Sequence, residues 1–291
     1  MTATVAERVL ITEPGLYPTV TPDQYHADPV AGGSLSSTGA RALLPPSCPA
    51  LFRYWADHPR EHRKAWDIGH AAHRLVLGAG VDFAVIEHDE WRSKVAKAEV
   101  AEARAAGLTP IKPAEHEQLL AMAEAIRRHP EASVLLSPGY GLHEATIVWQ
   151  DPATGVWHRA MLDVLPHRHA GRRPILVDYK GCASAEPEAL RKAVHRYGYH
   201  QQEDLYRAAV RDGLGWPAPG FLFVFQEKTP PYLITVTELD PVAQQIGAAR
   251  NHWARTTYRR CVETGHWPAY VEGIHMLSLP RWVELEEGAL V

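Results

Sequence analysis

Residues His143–Gly181 read HEATIVWQDPATGVWHRAMLDVLPHRHAGRRPILVDYKG, and this stretch decides the fold. Asp151-Pro152 with Gly155 marks one turn and the Arg/His/Gly/Pro run from Pro166 to Pro174 marks a second, so the three apolar segments between them predict a three-stranded antiparallel meander. Successive strand side chains face opposite sides, which puts Asp178 and Lys180 on one face. By the same rule Asp163 shares a face with Arg159, Met161 and Leu165, while Ala160, Leu162 and Val164 lie opposite. Both faces are largely apolar, as in central strands covered by helices. An aspartate there is costly unless compensated, and a bound cation is the usual compensation.

Outward from the meander, residues 1–33 carry Pro14, Pro18, Pro22, Pro29 and Gly32-Gly33 without periodicity, and predict an irregular arm. Ser34–Gly39 offers N-caps for a short helix ended by Pro45 and Pro46, and a second short helix covers PALFRYWAD. KAWDIGHAAHRLVL, Lys64–Leu77, has helical spacing with Ala65, Gly69, His73 and Val76 on one face. WRSKVAKAEVAEARAAG and AEHEQLLAMAEAIRRH predict a charged helical hairpin inserted at about 90–130. After the meander come a long helix from about Glu186 to Asp212, the strands FLFVFQE and YLITVTEL, and a helix from about Pro241 to Thr264. The order predicts an α/β (α+β) domain over 34–291, a mixed central sheet flanked by helices.

The chain has 291 residues, 46% of them hydrophobic, enough for one sizeable core. Its three cysteines, Cys48, Cys182 and Cys261, form no CxxC pair, so neither a disulfide framework nor a four-cysteine metal site is expected. No apolar run reaches the ~18 to 20 residues of a membrane span, and the first residues lack the order of a signal peptide. The expectation is a protein of the reducing cytoplasm with no membrane partner. The net charge of −4 argues against a nonspecific nucleic-acid coat. Local basic clusters nevertheless suit a polyanion: Arg60, His62, Arg63 and Lys64; Arg168, Arg172 and Arg173; Arg191, Lys192, His195 and Arg196; and Arg250, Arg255, Arg259 and Arg260.

Phosphodiester hydrolysis needs an activated water and a stabilised leaving oxygen, and one or two Mg²⁺ held by carboxylates supply both. Asp163 and Asp178 are candidate ligands, and Lys180 would stabilise charge on the attacking water or the phosphate. His73 follows Gly69 by one turn, and a glycine inside a helix costs ~1 kcal/mol relative to alanine. Close approach of that helix to the sheet, presenting His73 to a metal, would account for it. The stripe His195, Tyr199, Gln202 and Tyr206 has core spacing, but a glutamine within it suggests the border of a polar site.

Taken in order, G-x-x-x-H (Gly69 to His73), Glu144, Asp163, D-Y-K (Asp178, Tyr179, Lys180) and Q-x-x-x-Y (Gln202 to Tyr206) resemble the PD-(D/E)xK nuclease superfamily, and within it the RecB/RecE-like branch. SLSSTGARALLPPSCPALFRYW is similar to the opening helices of RecE-type, phage-encoded 5′→3′ exonucleases. The resemblance spans roughly 34–264. It implies a Mg²⁺-dependent exonuclease, with Mn²⁺ as the alternative ion, that degrades one strand of linear double-stranded DNA from a 5′ end. It also implies a 3′ overhang handed to a single-strand annealing recombinase, and a homo-oligomeric ring. By motif match His73, Asp163, Asp178 and the Tyr179 carbonyl would bind metal, Lys180 would be catalytic, and Glu144 would support a second metal or the nucleophilic water. Gln202 and Tyr206 would orient substrate. The related iron–sulfur nucleases carry four cysteines in suitable spacing, so no iron–sulfur cluster is expected here. Arg41 and Arg53, beside helix N-termini near Ser36 and Ser37, are candidates for a 5′-phosphate.

Other readings compete. A site-specific endonuclease of the same core would cut closed circles, but the sequence shows no added recognition domain. A non-catalytic DNA-binding scaffold leaves the full His, Asp, Asp and Lys set unexplained. A histidine-rich metal-binding protein is suggested by 17 histidines and the His167-Arg168-His169 turn, which lacks regular ligand spacing.

Overall fold

The computed structural model describes residues 9–58, 64–88 and 90–288. In chain order the elements are β1 (Gly15–Tyr17), α1 (Pro22–His26), α2 (Ser37–Ala42), α3 (Pro49–Asp57), α4 (Lys64–Leu77), β2 (Phe83–Val85), α5 (Lys94–Ala105), β3 (Thr109–Ile111), α6 (Pro113–Arg128), α7 (Pro130–Leu135), β4 (Gly141–Gln150), β5 (Trp157–Pro166) and β6 (Ile175–Cys182). They continue as α8 (Pro187–Tyr197), α9 (Tyr199–Ala208) with a π-helical turn (Ala209–Gly213), β7 (Gly220–Glu227), β8 (Ile234–Thr237), α10 (Pro241–Thr264) and α11 (Arg281–Glu287).

Six strands form one mixed sheet in the order β1-β4-β5-β6-β7-β8. The meander β4-β5-β6 is antiparallel, β6 and β7 run parallel, and β8 returns antiparallel. A parallel pair needs a crossover, and α8 with α9 supplies it. One face packs Ala145, Ile147, Trp149, Ala160, Leu162, Phe221, Phe223 and Phe225 under α2, α9 and α10. On the other, Val164, Val177, Tyr179 and Val224 meet Leu77 of α4 and Leu119, Met122 and Ile126 of α6.

Three features differ from the sequence expectations. Residues 1–8 of the expected arm lie outside the described residues, and residues 9–33 are built rather than irregular. Thr21 caps α1 through a capping box, β1 pairs with β4, and Ile11, Val20, Tyr25 and Val30 are buried against Val148 and Met161. Arg159 fixes it by donating to the Tyr25 and Ser34 carbonyls and pairing with Asp28 at 2.8 Å. The segment at about 90–130 is not a simple hairpin: β3 lies between α5 and α6, pairs parallel with β2, and lets α6 pack on α4 as part of the core. The long helix after β6 breaks at Gly198, whose φ of 70° ends α8 in a left-handed cap and starts α9 at a new angle.

Candidate metal centre

The site lies where β5 and β6 part. Their pairing is at Val164 and Val177, and one residue earlier on β5 the Asp163 carboxylate takes the Tyr179 amide N–H at 2.8 Å. A side chain thus stands in for a strand carbonyl and opens the sheet at the acids. β4 distorts at the same level. Glu144 has φ of 53°, and β4–β5 pairing runs through His143–Val164 and Ala145–Leu162 with Glu144 and Asp163 between them.

The alternation of both strands reverses at this step. Ala160, Leu162 and Leu165 belong to one core cluster and Val164 to the other, so Leu165 does not share a face with Met161 and Val164 does not share one with Leu162. That corrects the strict period-two assignment. The reversal lets two consecutive β4 residues reach α4: His143 Nδ1–H donates to the Leu77 carbonyl at the end of that helix, and Glu144 Oε1 meets His73 Nδ1 at 3.1 Å.

His73 Nε2 stands 4.0 Å from Asp163 Oδ2, and ligand atoms of His73, Glu144 and Asp163 all lie within 4.8 Å of one another. Its ring packs edge-on against Tyr179. Gly69, one turn earlier, is exposed, and a methyl added there would meet no described residue within 4 Å, the sheet included, so close approach to the sheet is not what calls for a glycine. The Ala65 side chain, expected on the same helix face, lies outside the described residues, as do Arg60, His62, Arg63 and the Lys64 side chain.

Asp178 is fully buried beside this trio. Gln202 donates to its Oδ1 at 2.9 Å, and Lys180 forms an ion pair with Oδ2. Burial first, then the neighbouring charge of Asp163, pushes the Asp178 carboxyl up to about 7 despite Lys180. Burial works against charge on Lys180 and on His73, yet the acids outweigh it: Lys180 is held above the ordinary lysine value and His73 is pushed up to about 9.

These residues fit a divalent cation. Two carboxylates and an imidazole converge, and a 4.0 Å gap between Nε2 and Oδ2 is too wide for a hydrogen bond but suits two ligands on either side of an ion at ~2.1 Å each. A ligating imidazole must be neutral, so a metal bound here would displace the proton that the neighbouring acids favour on His73.

The remaining candidates are placed differently. Gln202 turns its amide to Asp178 and so orients a carboxylate, while Tyr206 is buried beside it. Arg41 donates to the Tyr197 carbonyl, and Arg53 pairs with Asp57 while lying 5.9 Å from the Trp267 ring centre. Helix α2, capped by Ser36, spans six residues. Much of the expected basic surface has internal partners: Arg173 binds the carbonyls of Ala218 and Pro219, Arg191 pairs with Glu188, Arg255 with Asp151 and Arg259 with Glu263. Cys48 and Cys261 are buried and Cys182 is partly so, all as free thiols.

Two supports escaped the sequence. Gln226, fully buried on β7, accepts from the Tyr179 hydroxyl at 2.7 Å and donates to the Met122 carbonyl at 2.8 Å, tying β6, β7 and α6 behind the acids. A lone glutamine in the apolar run FLFVFQE was its signal. His143 had none beyond its place beside Glu144.

A mixed sheet opened at its centre over paired acids and a lysine is the architecture of a PD-(D/E)xK-type, nuclease-like domain. The chain belongs to the family described as a PDDEXK-like domain of unknown function, DUF3799, whose model matches residues 50–280. Among solved structures it is similar to a candidate exonuclease from Eubacterium rectale, a 2.19 Å crystal structure, with a TM-score of 0.58 and 14% identity over 93% of this chain and 97% of that one. At that identity the likeness is one of fold. None of the curated proteins compared matches the chain. No helix among the described residues is long and apolar enough to cross a membrane.

Proposed function

We propose that this protein is a divalent-metal-dependent exodeoxyribonuclease that degrades linear double-stranded DNA 5′→3′ and leaves 3′ single-stranded overhangs for recombination by strand annealing. The observation that carries the hydrolytic part is the convergence of His73, Glu144 and Asp163 beside the buried Asp178–Lys180 pair. The polarity, an annealing recombinase as partner and a ring of copies extend it through the resemblance of the ordered motifs to RecE-type enzymes. Mg²⁺ is the proposed ion, with Mn²⁺ as its substitute.

His73, Glu144, Asp163 and Asp178 would hold the cation, and the Tyr179 carbonyl between the two side chains of the D-Y-K strand would be the further ligand. Bound there, the metal would supply a more acidic water and a Lewis acid for the phosphate. Gln202 fixes the Asp178 carboxylate in one orientation, and Asp163 is fixed by the Tyr179 amide. Lys180 stays cationic at neutral pH and offers charge to the attacking oxygen or the scissile phosphate.

Digestion of linear duplex DNA labelled separately at its 5′ and 3′ ends, with a closed-circular control, tests the reading. Early release of 5′ label from linear DNA alone, abolished by EDTA, is expected. Early 3′ label would overturn the polarity, cut circles would indicate an endonuclease, and binding without cleavage would indicate a scaffold.

A further inference from the structure

The break at Gly198 has a second effect. In one continuous helix, residues two apart point about 200° from each other. Here the left-handed turn brings Tyr197 and Tyr199 side by side, with ring centres 5.6 Å apart and planes 31° from parallel. Tyr199 is the inner ring. It packs on Phe223 and Phe225, each at 5.8 Å, and the Lys180 ammonium lies 5.4 Å from its centre. Tyr197 is the outer ring, 49% exposed, with the Arg196 guanidinium 5.7 Å from its centre. Arg41 holds the turn through the Tyr197 carbonyl, and a methyl on Gly198 would fall 2.7 Å from the Arg41 Cδ.

An aromatic ladder therefore runs from the core, past the catalytic lysine, to a ring in water. Core packing accounts for Tyr199 but not for an outer ring that is half exposed with the Arg196 guanidinium against it and Arg41 on its backbone carbonyl. Stacking on a base face needs an unpaired base, because a paired one inside a duplex already has both faces covered. Aromatic rings beside cationic groups are the usual platform for single-stranded nucleic acid, where each stacked base contributes about 1–3 kcal/mol.

We propose that Tyr197 stacks the base of an unpaired nucleotide next to the phosphodiester that Lys180 faces, with Arg41 and Arg196 facing its phosphates. The site thus takes a frayed or tailed DNA end in preference to a fully paired one. This rests on the nuclease reading, and the test separates the two.

Oligonucleotide duplexes, blunt or carrying a short single-stranded tail with 2-aminopurine beside the junction, would be titrated with parent, Tyr197→Ala and Tyr197→Phe proteins, with Ca²⁺ replacing Mg²⁺. Parent and Tyr197→Phe should quench the fluorophore and bind the tailed duplex more tightly than the blunt one. Tyr197→Ala should lose the quench and bind the tailed duplex about tenfold more weakly. In Mg²⁺ the same variant should raise KM and leave kcat within about twofold. Equal quench and equal affinity for parent and Tyr197→Ala would overturn the proposal while leaving cleavage untouched. Failure of the parent to cleave DNA with any divalent ion would instead sink the nuclease reading, and the quench would still report on stacking.

Discussion

Glu144 lies across from Asp163 at the step where the facing of both β4 and β5 reverses, and Glu144 makes that step with a φ of 53°. A left-handed backbone costs a non-glycine residue about 1–2 kcal/mol, a strain retained here at a position that supplies a carboxylate to His73. Glu144→Gly should therefore keep stability within about 1 kcal/mol of the parent, since relief of strain offsets the added freedom of the unfolded chain. Glu144→Val, β-branched at positive φ, should lose about 2 kcal/mol. Both should weaken Mn²⁺ binding at least tenfold in calorimetric titration. Unchanged Mn²⁺ affinity would remove Glu144 from the centre.

Gln202 is predicted to act on the reaction through Asp178. Gln202→Ala should lower kcat about 10- to 100-fold, as loss of a residue that orients a metal ligand does, with the melting temperature nearly unchanged. Gln202→Glu should be worse, because it sets a second carboxylate against the buried Asp178. A KM effect with normal kcat would return Gln202 to the substrate.

His158 gives the fold a pH dependence remote from the site. It is buried, donates from Nδ1 to the Leu35 carbonyl and stacks on Trp149, with Nε2 lacking a hydrogen-bond partner among the described residues. Burial first, and Arg255, outweigh the pull of Asp151 and bring its pKa down to about 4. The folded state thus binds fewer protons than the unfolded one between about pH 6.5 and 4, and stability falls with pH across that window by roughly 3 kcal/mol. Urea denaturation should show this loss in the parent and a smaller one in His158→Gln. Parallel stability curves for the two proteins would contradict it.

Much of the D-Y-K strand was legible because its geometry follows from period two: Asp178 and Lys180 two residues apart share a face and do pair. The mixed sheet followed from the order of turns, apolar runs and helical stripes. The reversal at Glu144 and Asp163 was invisible, because a glutamate carries no signal of positive φ. Gly198 did carry one, a glycine inside a helical pattern, where a C-cap competes with continuation. The arm was missed because its strand has three residues and its packing partners, Val148 and Met161, lie far away in sequence.

Gly247 tests the packing of α9 on α10. A methyl there would fall 2.1 Å from the His200 carbonyl oxygen, a backbone atom that cannot swing away. Gly247→Ala should cost about 2–4 kcal/mol in denaturant titration. A loss under 1 kcal/mol would mean that the helices lie further apart.

The most direct measurement is the rate of hydrolysis of linear duplex DNA against Mg²⁺ concentration for the parent, Asp163→Asn and Asp178→Asn, each checked for fold by circular dichroism. The predicted result is saturable cleavage by the parent, none in EDTA, and a loss of about a thousandfold or more in each folded variant, the scale expected when a metal's stabilisation of the transition state is removed. Parent-like cleavage by either variant, or cleavage that persists in EDTA, would contradict a metal centre built on these two aspartates.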